Sequence, residues 1–219
     1  MGYKMLKINN VVCPSAEQWL MAIRGMRHPL QSYDRSDTTV KDNEISLGDN
    51  DLGLMKRLIH AGTEHRKFLR QLPVIMDITA PLLWWKEAST YKVGTASNST
   101  STMHKITSKP IELSDFSYDD FYIADEGISL KDCFINVVAD CEMLRKKYLE
   151  TKNEECWRGL IQLLPESYNQ TRMWSANYEV LYSIYFQREN HKLTEWHDFC
   201  RMIRHLPYMD EFLFGGRYE

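Results

Sequence analysis

The stretch Ala80–Lys105, APLLWWKEASTYKVGTASNSTSTMHK, changes character halfway along. It opens as an apolar, helix-like run carrying Trp84 and Trp85. It then becomes a Gly/Ser/Thr/Asn segment closed by His104 and Lys105. Backbone N–H groups in a Gly/Ser-rich turn form an anion-binding nest, and Ser and Thr hydroxyls add uncharged donors. Lys92 on one side and His104 and Lys105 on the other supply positive potential. The pattern reads as a site for a phosphate-bearing ligand, with Asn98, Ser99, Thr100 and Ser101 in contact with it. The same residues also make up an ordinary surface loop.

Outward from that stretch, Phe68–Thr79 is rich in β-branched and apolar residues and predicts a strand, with Pro73 marking an edge or bulge. Tyr3–Val12 alternates loosely and predicts another. Ser15 is positioned to cap a helix bearing Trp19, Leu20, Ile23 and Met26. Residues 28–50 are polar and turn-rich and predict a long loop. Leu52–Ala61 regains helical spacing and ends at Gly62. After a connecting loop over Lys109–Gly127, Leu130, Phe134, Val137, Val138, Cys141, Leu144 and Tyr148 predict a long helix. A second helix follows over Glu154–Leu164. Met173–Arg188 is ambiguous, strand-like in composition yet long for a strand. Leu193, Trp196, His197, Cys200 and Ile203 mark a final helix stopped by Pro207.

With 219 residues, the chain is read as one domain over 1–219, long enough for a substantial core. A net charge of −3 argues against a nucleic-acid binder. No apolar run reaches the length of a membrane span, and the N-terminus lacks a signal-peptide core, so a cytoplasmic protein without a membrane partner is expected. Five widely spaced cysteines without a Cys-x-x-Cys pair suit buried free thiols, with Cys133 and Cys141 read as core residues. P-loop, dinucleotide, zinc-protease and nucleophile-elbow motifs are absent, and the histidine spacings predict no metal site. The remaining chemistry lies in His65-Arg66-Lys67, Lys92, the 95–105 hydroxyl cluster, Asn177, Arg188 and His191-Lys192. Arg188 at a helix end suits a carboxylate, a phosphate or the imide edge of a base; it also suits a plain helix-terminal cation.

In order and spacing these blocks resemble the flavin-dependent thymidylate synthases, the ThyX family. The resemblance rests on Gly62-Thr63-Glu64-His65 before a strand and Ala80-Pro81 at a helix entry. It continues with Leu164-Pro165, then Trp174-Ser175-Ala176-Asn177, and Arg188 eleven residues after Asn177. It is strongest over 52–205. The family signature Arg-His-Arg-x-x-Ser-x-x-x-x-Ser-x-Arg falls on Thr90-Tyr91-Lys92, Thr95, Thr100 or Ser101, and Thr102. Glu87 stands where the family has a substrate-contacting Gln, and Ile161 where it has a nucleotide-contacting Arg. Asn177 matches a flavin contact and Arg188 a substrate contact. Lys192 holds a flavin-contacting His position, with His191 adjacent.

The resemblance implies an α+β fold with a small antiparallel sheet and a long-helix bundle, and makes Met173–Arg188 a helix. It implies FAD as cofactor, with NADPH and methylenetetrahydrofolate as co-substrates, and a pyrimidine nucleotide such as dUMP as the methyl acceptor. It assigns Arg188, Ser101 and Thr100 to catalysis. His65, Tyr91, Lys92, Asn177, His191 and Lys192 go to the cofactor. Glu87, Asn98, Ser99, Thr100, Ser101 and Arg188 go to the substrate. It also implies a homotetramer whose active sites are shared between subunits. A related enzyme acting on another pyrimidine nucleotide, and a non-catalytic nucleotide-binding protein of the same fold, remain as alternatives.

Overall fold

The computed structural model describes residues 6–119 and 129–215. The chain divides into two compact units. One comprises Met1–Ile8, Ile78–Thr90 and Asn98–Met173; the other comprises Asn9–Asp77, Tyr91–Ser97 and Trp174–Glu219. Strands β1 (Lys7–Val12), β4 (Pro73–Pro81), β5 (Ala96–Ser99) and β6 (Asn169–Asn177) each run from one unit to the other. They form a four-stranded sheet in the order β1-β4-β6-β5. Helices and a small antiparallel sheet make the fold α+β.

In the unit containing Asn9–Asp77, Ser15 starts helix α1 (Ala16–Arg27) through a capping box with Gln18, which satisfies two otherwise orphaned N–H groups. Residues 28–50, expected as a loop, are more ordered than their composition implies. They hold two 3-10 turns and an antiparallel hairpin of β2 (Thr39–Lys41) and β3 (Glu44–Ser46). Asp42 and Asn43 turn that hairpin at φ of 50° and 63°, a conformation these residue types tolerate well. Strands of three residues are too short to show a period, which hid them. Helix α2 (Asp49–Ala61) begins inside the same segment and ends at Gly62, at φ 129°.

Phe68 to Gln71 belong to a 3-10 turn rather than a strand; β4 starts at Pro73, where no ladder N–H is needed. Met173–Arg188 is not a helix throughout: its first residues finish β6, and helix α7 (Tyr178–Arg188) begins after Asn177. The Asn177 side-chain carbonyl accepts from the Val180 N–H at 3.1 Å, and this cap fixes the change from strand to helix. Helix α8 (Glu195–Arg204) stops short of Pro207, and an unanticipated α9 (Met209–Phe214) follows. The unit's core gathers Trp19, Met55, Ile59, Leu69, Tyr178 and Phe212, with the rings of Trp19 and Tyr178 edge-to-face at 5.4 Å.

In the unit containing Asn98–Met173, Pro81 leads into α3 (Leu82–Ala88), which buries both tryptophans. The hydroxyl segment is not a Gly/Ser turn: Ala96–Ser99 form β5, and Ser101 caps a single-turn helix, α4 (Thr102–Lys105). Helix α5 (Leu130–Thr151) packs on α6 (Glu154–Leu163) around Ile106, Ile111, Phe116, Val138, Cys141 and Leu160. The expected 109–127 loop contains a 3-10 turn at Leu113–Asp115 and a bridge between Phe116 and Tyr168; its residues 120–127, and Tyr3 and Met5 of the expected first strand, lie outside the described residues. Cys133 is exposed, contrary to expectation, because residues eight apart on a helix differ by about 80° in direction and only Cys141 faces inward. Burial raises the Cys141 thiol to about 11 and, in the other unit, the Cys200 thiol to about 12, so both stay protonated at neutral pH.

Candidate functional site

The residues assigned to a site fall in both units. In the first, β6 presents Gln170 and Arg172 on one face, since alternate residues of a strand point the same way. Gln170 is buried, and its amide donates to the Thr100 carbonyl at 2.8 Å and to the Thr102 hydroxyl at 3.1 Å. The Gln170 side-chain oxygen accepts from Arg172 Nε at 2.9 Å, and the Arg172 guanidinium lies 4.4 Å from the centre of the Trp85 ring. The Trp85 indole N–H in turn donates to the Gln170 carbonyl at 2.9 Å. These contacts hold Thr100 and Thr102 in register with β6, where the Thr100 N–H also meets the Thr171 carbonyl at 2.9 Å.

The outcome is a polar cavity of about 230 Å³ lined by Thr100, Ser101, Thr102, Lys105, Lys109, Asp115 and Asn169, among others. The Ser101 hydroxyl accepts from the His104 N–H at 3.2 Å, ordering the α4 turn. Lys109 is ion-paired with Asp115, and that hydrogen bond raises the ammonium above its ordinary range. The Asn169 carbonyl accepts from the Ser117 hydroxyl at 2.7 Å, while its buried Nδ2 has no hydrogen-bond partner among the described residues. A buried amide donor without an acceptor costs about 1–3 kcal/mol. It therefore suits a ligand bearing acceptor oxygens. Asn98 and Ser99 are exposed on β5, and Glu87 is half-buried on α3, where its carbonyl receives the Thr90 hydroxyl at 2.7 Å.

In the second unit, Arg188 ends α7. Its Nε donates to the Tyr91 hydroxyl at 2.8 Å, and its guanidinium lies 4.8 Å from the centre of the buried Trp196 ring. The Tyr91 hydroxyl passes a hydrogen bond on to Gln187 at 3.0 Å. His191 sits 6.4 Å from Trp196, ring to ring, and its Nδ1 accepts from the Leu193 N–H at 3.1 Å, which leaves a neutral ring its proton on Nε2. Tyr91, Arg188 and His191, three residues named from the sequence, are thus brought together around Trp196. Gly94 approaches Asn177 so closely that a Cβ on it would lie 2.9 Å from Asn177 Nδ2, and its φ is 75°. Lys92 and Lys192 are exposed. His65 is exposed beside Glu64, 3.5 Å away, while the neighbouring Arg66 reaches Glu179 at 3.4 Å.

Sequence reading missed Gln170, Arg172, Asn169, Trp196 and Gly94 as members of these clusters. The alternation of Gln170 and Arg172 was the available signal, but these residues precede the Met173–Arg188 stretch and were assigned to no element. Among the described residues, no three His, Cys, Asp or Glu side chains are grouped to hold a metal ion, and no helix is long and apolar enough to cross a membrane.

No protein-family model matches the chain, and no curated protein sequence does. Solved structures do resemble it. Thymidylate synthase X (ThyX) from Helicobacter pylori, solved with FAD and dUMP, is 18% identical with a TM-score of 0.68, over 94% of this chain and 96% of that one. The UMP/dUMP methylase PolB from Streptomyces cacaoi, solved with 5-Br dUMP, is 11% identical with a TM-score of 0.62, over 92% of this chain and 89% of that one. An expectation first raised by scattered dipeptides and one Asn–Arg spacing is met at the level of architecture, and the chain has the fold of the ThyX thymidylate synthases.

Proposed function

We propose that the chain is a flavin-dependent enzyme that methylates a pyrimidine nucleotide, of which dUMP is the first to test. The observation that carries this reading is the hydroxyl- and lysine-lined cavity with the unpartnered Asn169 amide, in a fold whose solved relatives were crystallised with pyrimidine nucleotides. Thr100, Ser101, Lys105 and Asn169 are placed to bind phosphate oxygens there. In the other unit, Arg188, held by Tyr91 and Trp196, presents a cationic donor fork of the kind that suits a carboxylate, a phosphate or the imide edge of a base.

Gly94 lets the Asn177 side chain pack against the backbone, and Asn177 lies in the same unit as Tyr91 and His191, which ring Trp196 and offer aromatic faces to a flat cofactor. These residues, with His65, Lys92 and Lys192, would hold FAD. FAD, if bound there, would supply the redox chemistry of the methyl transfer, with NADPH as reductant and methylenetetrahydrofolate as the one-carbon source. No cysteine serves as nucleophile in this scheme, in keeping with the raised thiols of Cys141 and Cys200. The working form in this reading is a cytoplasmic homotetramer.

The likeness to a UMP/dUMP methylase favours a second reading, in which the acceptor is a pyrimidine nucleotide other than dUMP. Purified protein is expected to show a flavin absorbance spectrum, alone or after adding FAD, and to release tritium from C5 of labelled dUMP. Tritium release from UMP instead would establish the second reading. Protein that takes up no flavin, gains no thermal stability from FAD and releases no tritium would sink both.

A further inference from the structure

A second polar cavity, of about 290 Å³, lies between α1 and α2 and is lined by Arg27, Leu30, Ser32, Arg35, Asn50, Leu54 and Arg57. Three of its lining side chains are arginines and none is acidic, in a chain whose net charge is −3. Arg27 is the buried foundation. Its Nε donates to Asp51 at 2.6 Å, its Nη1 to the Ser32 carbonyl at 3.1 Å, and its Nη2 to the Arg35 carbonyl at 3.1 Å. The guanidinium thereby fixes the backbone that carries Ser32 and Arg35. Asp51, the nearest carboxylate, is committed elsewhere: one oxygen meets Arg27, and the other accepts from Ser36, Thr38 and two backbone N–H groups. Asp37 is likewise occupied, accepting from the Asn50 and Asp51 N–H groups at the start of α2.

Asn50, Leu54 and Arg57 follow i, i+4, i+7 spacing and so share one face of α2. Arg57 extends back along the helix, its Nη1 4.0 Å from where a Cβ on Gly53 would sit. Neither the Arg35 nor the Arg57 guanidinium has a hydrogen-bond or ion-pair partner among the described residues. Two planar donor forks, a hydroxyl and an amide lining one hollow, with Asp37 and Asp51 already engaged, match the oxygens of a phosphate group.

We infer that this cavity binds a phosphate group, either as the free ion or as a small monoester. It is separate from the nucleotide cavity around Thr100, whose lining shares no residue with it. The volume lies at the lower end for small-molecule pockets, which favours the headgroup of a small phosphorylated metabolite over a whole nucleotide.

Calorimetric titration with inorganic phosphate, and in parallel with glycerol phosphate, tests this at constant ionic strength. The protein carries Lys105→Ala, which weakens the other cavity. Adding Arg35→Ala and Arg57→Ala together should weaken binding at least tenfold, and Arg57→Gln alone should weaken it severalfold with an unchanged circular-dichroism spectrum. Tighter binding of the monoester would identify a metabolite, and equal binding the free ion. Phosphate affinity unchanged in the double arginine variant, or no phosphate binding by the parent protein, would overturn the proposal.

Discussion

Arg188 Nε and the Tyr91 hydroxyl are joined by a 2.8 Å hydrogen bond that spans 97 residues of sequence. The bond aims a cation that an unsupported helix terminus would leave to sweep through solvent. Arg188→Ala should therefore weaken binding of flavin or nucleotide by about 1–3 kcal/mol, the range for a hydrogen bond to a charged group. Tyr91→Phe, which keeps the ring 5.5 Å from the guanidinium but removes the hydroxyl, should cost less. Ligand titrations of the two single variants and the double variant check this. Additive losses would show that the two residues act independently, contrary to the geometry.

Gly94 at φ 75° forms the floor against which Asn177 rests. Gly94→Ala should destabilise the protein by about 1–2 kcal/mol through the left-handed backbone, with a further loss because the methyl meets Asn177 Nδ2. Urea denaturation measures the first effect and FAD titration the second. A variant with wild-type stability and flavin affinity would remove this packing from the site.

Gln170 links Arg172 to the hydroxyl cavity. Gln170→Leu keeps the volume but leaves the Thr100 carbonyl and Arg172 Nε without their partner. A loss of about 1–3 kcal/mol in stability is expected, together with weaker nucleotide binding. Denaturation and nucleotide titration should move together. Reduced stability with unaltered nucleotide affinity would confine Gln170 to a structural role.

Glu142 on α5 gives a pH signature. Its hydrogen bond with Arg145, aided by the Ile111 N–H and outweighing burial, lowers its carboxyl from 4.5 to about 2. A carboxyl depressed in the folded state contributes stability that is complete above its unfolded value and is lost as pH falls through the folded one. The loss should thus fall between pH 4.5 and about 2. Glu142→Gln should cost about 1–3 kcal/mol at neutral pH and flatten the acid limb of a stability profile. An acid limb as steep as that of the parent would exclude Glu142 as its source.

Much of the helical framework was legible because long elements repeat their burial pattern. The α5 periodicity from Leu130 to Tyr148 and the Ser15 cap both correspond to elements now seen. Shorter elements were not legible. The β2–β3 hairpin offers three residues a side, and β6 gives way to α7 at Asn177 inside a stretch read as one element. Arg188 was visible as a lone arginine in a helical spacing, but its contact with the Tyr91 ring joins segments 97 residues apart, which no local pattern encodes. Gln170 and Arg172 lay in a short polar segment that suggested no element by itself.

Because β1, β4, β5 and β6 each pass from one compact unit to the other, both units are assembled from three separate pieces of the gene. No single truncation can therefore yield either unit whole, and a fusion partner or deletion that respects one boundary interrupts another.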